Sequence, residues 1–171
     1  SGLSGEGRMT EPETIVARIY ADLIGNSKLN GKRLLITAGP TQEAIDPVRY
    51  IGNRSSGKMG FALAEEAASR GAQVQLVTGP VSLRTDRGGI QRTDVSSAAE
   101  MASACKERAP QSDVVIMSAA VADFRPATTA ETKIKKDDDG SVPSITLVRT
   151  VDVLAELAHE GRIGSVSPRI Y

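Results

Sequence analysis

The residues best equipped for chemistry fall into three clusters. The first follows an apolar run, Leu34, Leu35 and Ile36, that ends at Gly39-Pro40; residues 41–56 then hold Thr41, Glu43, Asp46, Arg49, Asn53, Arg54, Ser55 and Ser56. A segment that merely connects two elements needs no such polar density, so this one reads as a site. Ser55, Ser56 and Gly57 open the next helical stretch, whose free N–H groups and positive dipole end favour an anion. The competing reading is that the two serines only cap the helix, a role worth about 1 kcal/mol. The second cluster, Ser118-Ala119-Ala120-Val121-Ala122-Asp123, leaves the apolar run Val114–Met117. Its small residues let a flat ring approach the backbone, and the Asp123 carboxylate can accept bonds from hydroxyls or help hold a metal. Against this, alanines also serve simply to pack a helix on a sheet. The third cluster is the charge run Glu131–Asp139, with Lys133, Lys135 and Lys136. It reads either as a solvated loop or, because it follows the second cluster so closely, as a segment that folds over a triphosphate.

Two familiar phosphate motifs do not fit. Gly52–Lys58 satisfies G-x-x-x-x-G-K, but Met59 stands where a hydroxyl must ligate magnesium, and the motif lies far downstream of the strand it should leave directly. The turn Gly39-Pro40-Thr41 has no G-x-G-x-x-G, which disfavours a nicotinamide-dependent oxidoreductase. No Ser-His-Asp or Cys-His constellation is evident, so nucleophilic catalysis by a side chain is not expected. Cys105 lies in an Ala-rich helical pattern and reads as buried filler; His159, the single histidine, leaves no His-based metal site. What the clusters do offer is equipment for positioning a nucleotide and stabilising developing negative charge, which suits activation of a carboxylate.

The elements that must carry these clusters follow from periodicity and punctuation. At 171 residues and 40% hydrophobic, the chain is long enough for one packed domain. Lys plus Arg (21) balances Asp plus Glu (21), giving no reason to expect a nucleic acid or a membrane surface as partner. With no apolar run of membrane-spanning length, the expected setting is cytoplasmic. Ser1–Arg8 reads as a flexible segment cut from something longer. Thr10–Glu13 forms a capping box, followed by an apolar face of Ile15, Val16, Ile19, Leu23 and Ile24. A helix over 58–70 closed by Gly71, a strand over 73–77, a short strand over 90–93, a helix from Ser97 to about Arg108, and the strand 114–117 complete a βαβ series. A strand over 144–148 and an amphipathic helix over 151–160 end it. The fold expected is a doubly wound, Rossmann-like α/β domain, its mostly parallel sheet carrying helices on both faces.

The run ITAGPTQEAIDPVRYIGNRSSGKMGFALAEEAASRGAQVQLVTGPVSL, followed by SAAVADFRP and KIKK, resembles the bacterial phosphopantothenoylcysteine synthetases of coenzyme A biosynthesis across about Leu29–Leu157. Three motifs in family order and spacing carry the resemblance. It implies a ligase that uses CTP and Mg2+ to join 4'-phosphopantothenate and cysteine through an acyl cytidylate. It implies too a homodimer, and fusion behind a flavin-dependent decarboxylase domain of which residues 1–28 would be the end; 29–171 would then be the synthetase domain. Lys133 matches the lysine needed to form the acyl cytidylate. Asn53 matches the asparagine required for the second half-reaction, and Arg49 and Ala120 match positions that support it. Met117, Ser118, Ala119 and Asp123 fall where the family holds cytosine and ribose. Val151, Asp152, Val153 and Leu154 fall where it closes over the nucleotide, with Gly39, Ser55, Ser56 and Gly57 as the anion-binding turn and helix start.

The resemblance has two departures. Val151 replaces the family's usual proline. The family's Gly-Phe-Ala-Ala-Glu-Thr strand and Lys-x-x-x-Lys segment are absent, the sequence running instead through Gly164-Ser165-Val166-Ser167-Pro168-Arg169-Ile170-Tyr171. The expectation is a fragment whose CTP binding is weakened or lost. The alternative is a non-catalytic nucleotide-binding or assembly module of the same fold.

Overall fold

The apolar run after Lys32 becomes β1 (Arg33–Ala38), whose last five residues are all buried. The computed structural model describes residues 11–23, 29–135, 143–160 and 169–170. In it, β1 lies between β4 (Gln73–Thr78) and β6 (Val114–Met117), with β5 (Ile90–Asp94) beyond β4 and the two-residue β9 (Arg169–Ile170) beyond β6. Every pairing in this five-stranded sheet is parallel. Parallel strands are buried on both faces, which is why they read as continuous rather than alternating apolar runs.

The strand period of two sends alternate side chains to opposite faces and builds two cores. Leu34, Ile36, Ala38, Val74, Leu76, Val114 and Ile116 pack with α1 (Pro12–Leu23) and α2 (Lys58–Ser69). Leu35, Val77 and Val115 pack with α3 (Ala98–Arg108) and α4 (Val153–Glu160) through Met101, Cys105, Val153 and Leu157. The doubly wound α/β arrangement is as expected. Each large aliphatic side chain buried here contributes about 1.5–3 kcal/mol.

Helix ends depart from expectation in instructive ways. Neither Ser55 nor Ser56 caps α2: its N-cap is Gly57, at φ 76, with no side-chain cap. The left-handed backbone suits glycine, and it directs the Ser55 hydroxyl to the Gly57 N–H (3.3 Å) rather than to the helix. α3 is over-capped. Ser97 Oγ accepts from Glu100 N–H (3.2 Å), the Glu100 carboxylate accepts from Ser96 N–H (2.8 Å), and Glu43, from 55 residues upstream and 4% exposed, accepts from Ala98 N–H (2.8 Å). Two of the free donors of that helix start, the Ala98 and Glu100 N–H groups, are thereby satisfied.

The polar segment after β1 is no plain loop. It folds as a hairpin, β2 (Gln42–Ala44) against β3 (Tyr50–Gly52), which the sequence reading missed. A second antiparallel pair joins β7 (Phe124–Pro126) to β8 (Leu147–Arg149); the strand expected over 144–148 is found instead as these three exposed residues, which pair with β7. On α1, Val16 and Ile19 (1% exposed each) lie in the same core as α2, and Arg70 stacks 5.5 Å from the Tyr20 ring centroid. Ser1–Arg8, Thr10, Ile24, Lys136 and residues 161–168 lie outside the described residues, as do the side chains of Leu23 and His159.

Candidate functional site

The strand order places β1 at the point where the sheet's winding reverses, so the carboxyl ends of β1 and β6 diverge. Open parallel sheets bind ligands in that crevice, because the loops leaving the two strands run to opposite faces. A cleft of about 570 Å³ lies there, its floor formed by Thr37, Met117, Ala119, Val121 and Ala122 and its walls by residues 123–124 and 149–154.

Two buried hydroxyls set the floor. Thr37 Oγ1 accepts from both Ser118 N–H and Ala119 N–H (3.1 Å each), and its carbonyl takes the Ser118 hydroxyl. Thr41 Oγ1 accepts from Ala122 N–H (2.9 Å). Both threonines are fully buried. The main chain adds a parallel bridge between Pro40 and Ala120, with Ala120 N–H on the Gly39 carbonyl (2.8 Å) and Thr41 N–H on the Ala120 carbonyl (3.3 Å). Thr150 secures the far wall: its hydroxyl donates to the Ala122 carbonyl and its N–H to that of Asp123 (3.0 Å). The alanines are therefore doing more than packing a helix. At Ala119 and Ala122 they leave room above the main chain while its peptides are fixed.

At the wall, Asp152 Oδ1 accepts from Ala155 N–H (2.9 Å) and so caps α4, whose first residues Val153 and Leu154 line the cleft. Arg149 supplies a cation and Phe124, 49% exposed, a ring. Neither was anticipated, since both sit on the short exposed β7–β8 ribbon, which has no periodic signal.

The remaining expected residues form two further groups. Asn53, on the segment leaving β3, donates its side-chain N–H to the Ala120 and Val121 carbonyls (3.3 and 2.9 Å), clamping the floor from outside and leaving Oδ1 for another partner. Beside it the α2 start presses on the β1 exit: a Cβ on Gly57 would lie 3.3 Å from Gly39 Cα. Gly39, Gly57, Asn53 and Ala120 thus converge, with Ser55 one turn away. Arg49 and Lys133 do not line the cleft. Arg49 lies at the tip of the β2–β3 hairpin beside Asp46, and exposed Lys133 precedes Ile134, whose peptide groups bond to both. The Asp46 carboxylate is 3% exposed and accepts through Oδ1 from the Val48 and Arg49 N–H groups (2.8 and 2.9 Å). Through Oδ2 it accepts from the Arg49 guanidinium (Nε at 3.0 Å) and from Ile134 N–H (3.2 Å). The Arg49 guanidinium, together with these N–H donors, holds the carboxyl well below the usual carboxylate range. Asp46-Pro47 is a turn-initiating pair, the sequence signal that would have pointed to it.

Cys105 is fully buried, and burial pushes its thiol up to about 12, which leaves it protonated and unreactive. Among the described residues, no three His, Cys, Asp or Glu side chains cluster as metal ligands, and no helix is long and apolar enough to cross a membrane.

Fold and cleft define an α/β protein with a candidate ligand cleft at the switch point of a parallel sheet. Comparison with known proteins narrows that class. Residues 29–166 match the model of the DNA/pantothenate metabolism flavoprotein C-terminal domain, and the chain belongs to that family. It is 53% identical over 154 residues to the coenzyme A biosynthesis bifunctional protein CoaBC of Vibrio cholerae, covering 90% of this chain and 38% of that one. It is 48% identical over 161 residues to the CoaBC protein of Bacillus subtilis, covering 93% and 39%. The chain thus spans about two fifths of the length of these relatives. Among solved structures, it is similar to the C-terminal domain of a CoaBC protein, with a TM-score of 0.66 and 42% identity over 82% of this chain and 63% of the other.

Proposed function

We propose that the chain is the phosphopantothenate–cysteine ligase part of a coenzyme A biosynthesis protein, forming an acyl cytidylate from CTP and passing the acyl group to cysteine. The observation that carries this reading is the cleft itself. Its floor, apolar and fixed by Thr37 and Thr41, suits a flat base, and Asp123 and Arg149 on its walls suit a ribose and a phosphate chain. Neighbourhood supports it too: the Gly39–Gly57 junction, with the unshared N–H groups of the α2 start, suits the phosphate of the pantothenate substrate.

On this reading a carboxylate oxygen of 4'-phosphopantothenate attacks the α-phosphorus of CTP and pyrophosphate departs. The cysteine amine then attacks the acyl carbon, forming the amide as CMP departs with the bonding electron pair and the amine gives up a proton. The protein's part is to position and to stabilise charge. Asn53 holds the 120–121 peptides in place with its N–H groups, which leaves its Oδ1 available to accept from an incoming amine. Lys133 supplies positive charge from the rim. Magnesium takes few protein ligands and arrives on phosphates, with Asp123 a carboxylate available to it on the cleft wall. When bound, the ion would neutralise the triphosphate and ease the departure of pyrophosphate.

The test is pyrophosphate release from CTP dependent on 4'-phosphopantothenate, followed by cysteine-dependent release of CMP. Wild-type protein should give both, Lys133→Gln neither, and Asn53→Asp only the first. Nucleotide binding with no pyrophosphate release would favour a non-catalytic module of the same fold.

A further inference from the structure

Ile134 is held at both ends of its peptide unit by one device. Its N–H donates to Asp46 Oδ2 (3.2 Å), and its carbonyl accepts from Arg49 Nη2 (3.0 Å), the same guanidinium that binds Asp46. Two more bonds run alongside: Ala130 N–H to the Ile45 carbonyl (3.0 Å) and the Thr129 hydroxyl to the Ala44 carbonyl (3.1 Å). Residues 129–134 therefore lie along the β2–β3 hairpin, whose other end is continuous with Asn53 and its clamp on the floor. Lys133 is exposed and precedes the anchored residue, so its Cα is fixed through Ile134 while its side chain stays free to reach a ligand.

We propose that Asp46 is a positioning residue of the ligase site: with Arg49 as its partner, it tethers the Lys133-bearing segment to the hairpin that clamps the cleft floor, setting where the lysine charge acts. This rests on the ligase reading for its functional consequence, but the tether itself does not. On this account Arg49 works through the segment it anchors and not by touching a substrate.

Asp46→Asn separates the two duties of the carboxylate. Oδ1 remains an acceptor for the turn N–H groups of Val48 and Arg49, whereas the amide NH2 replacing Oδ2 cannot accept from Ile134 or from the guanidinium. The experiment has two arms. Amide exchange at Ile134 and tryptic cleavage after Lys133 and Lys135 should both accelerate about tenfold or more in Asp46→Asn, with the unfolding transition retained, because the opening is local. CTP-dependent pyrophosphate release should fall by about a hundredfold, as for a misplaced reacting group, with CTP affinity within about threefold of wild type. Asp46→Glu, which restores the charge and both acceptors, should recover part of the rate. Unchanged exchange and cleavage at Ile134 overturn the tether; loosened exchange with an unchanged rate overturns its role in positioning. Wild-type protein that releases no pyrophosphate sinks the ligase reading instead and leaves the exchange arm to decide the tether.

Discussion

The cleft floor and the hairpin rim solve the same problem, holding a loop in place, by opposite means. The floor is tied to β1 and the turn after it by a main-chain bridge, by the two buried threonine hydroxyls and by the Ser118 hydroxyl, six bonds in all over residues 118–122. Its bonds run between groups that the parallel ladder already fixes. At its Lys133 end the rim is tied through one buried carboxylate and its Arg49 partner, with exposed neighbours in Val48 (62%) and Tyr50 (55%). Redundant backbone bonding gives a rigid surface on which a base can rest; dependence on one side chain gives a segment that a single substitution can release. The contrast matches the parts proposed for them, binding for the floor and charge placement for the rim.

The sharpest way to break the floor is to push on it from beneath. A Cβ at Gly60 would stand 2.5 Å from Ala38 Cβ and 2.8 Å from the Thr37 carbonyl oxygen, so α2 must lift from the β1 exit. Gly60→Ala should therefore cost about 3 kcal/mol, the upper range for overpacking, measured by denaturant unfolding. Thr37→Val acts more locally, leaving the Ser118 and Ala119 N–H groups without their acceptor. Its expected cost is about 1–3 kcal/mol of stability, with Thr37→Ser restoring most of it.

The rim should respond to pH where the floor does not. Asp46 is held below its ordinary value of 3.8 in the folded protein, so its stabilisation is present above that value and is lost as pH falls below it toward the folded value. The stability difference between wild type and Asp46→Asn should accordingly stay level from pH 6 to about 4 and shrink as pH falls further, whereas that between wild type and Thr37→Val should stay flat throughout. The smallest effect is expected between the helices beside the cleft. Lys106 Nζ and Glu156 sit 2.6 Å apart, each more than a third exposed, but α3 and α4 are already joined by the apolar contacts of Val153 and Leu157. Glu156→Gln should cost less than about 1 kcal/mol and leave the floor's nucleotide affinity unchanged.

How much of this was legible depended on periodicity. The buried strands β1, β4 and β6 and the helices α2 and α3 announce themselves as apolar runs or amphipathic repeats, because burial on one or both faces is what the pattern encodes. The β2–β3 hairpin was illegible: Gln42-Glu43-Ala44 and Tyr50-Ile51-Gly52 are too short and too mixed to show a period, and no two-residue glycine turn joins them. The same holds for β7–β8, and with it for Phe124 and Arg149. Thr37 was hidden differently, since a threonine at the end of an apolar strand looks like any β-branched residue until its partner loop is in view. The serines before α2 misled because side-chain propensity pointed to a Ser cap while the backbone geometry required Gly57. Of the site residues named from sequence, Met117, Ala119, Asp123 and Val151–Leu154 share the cleft, Ser118 turns to Thr37, and Arg49 and Lys133 lie at the rim.

The central claim is that the cleft floor selects and holds a cytidine nucleotide. Calorimetric titration with CTP and magnesium, run against ATP and repeated on Asp123→Ala, tests it most directly. The account predicts binding that prefers CTP and weakens at least about tenfold in the variant, as loss of a charged hydrogen-bond acceptor implies. Equal affinity for the two nucleotides, or CTP binding indifferent to Asp123, would contradict it.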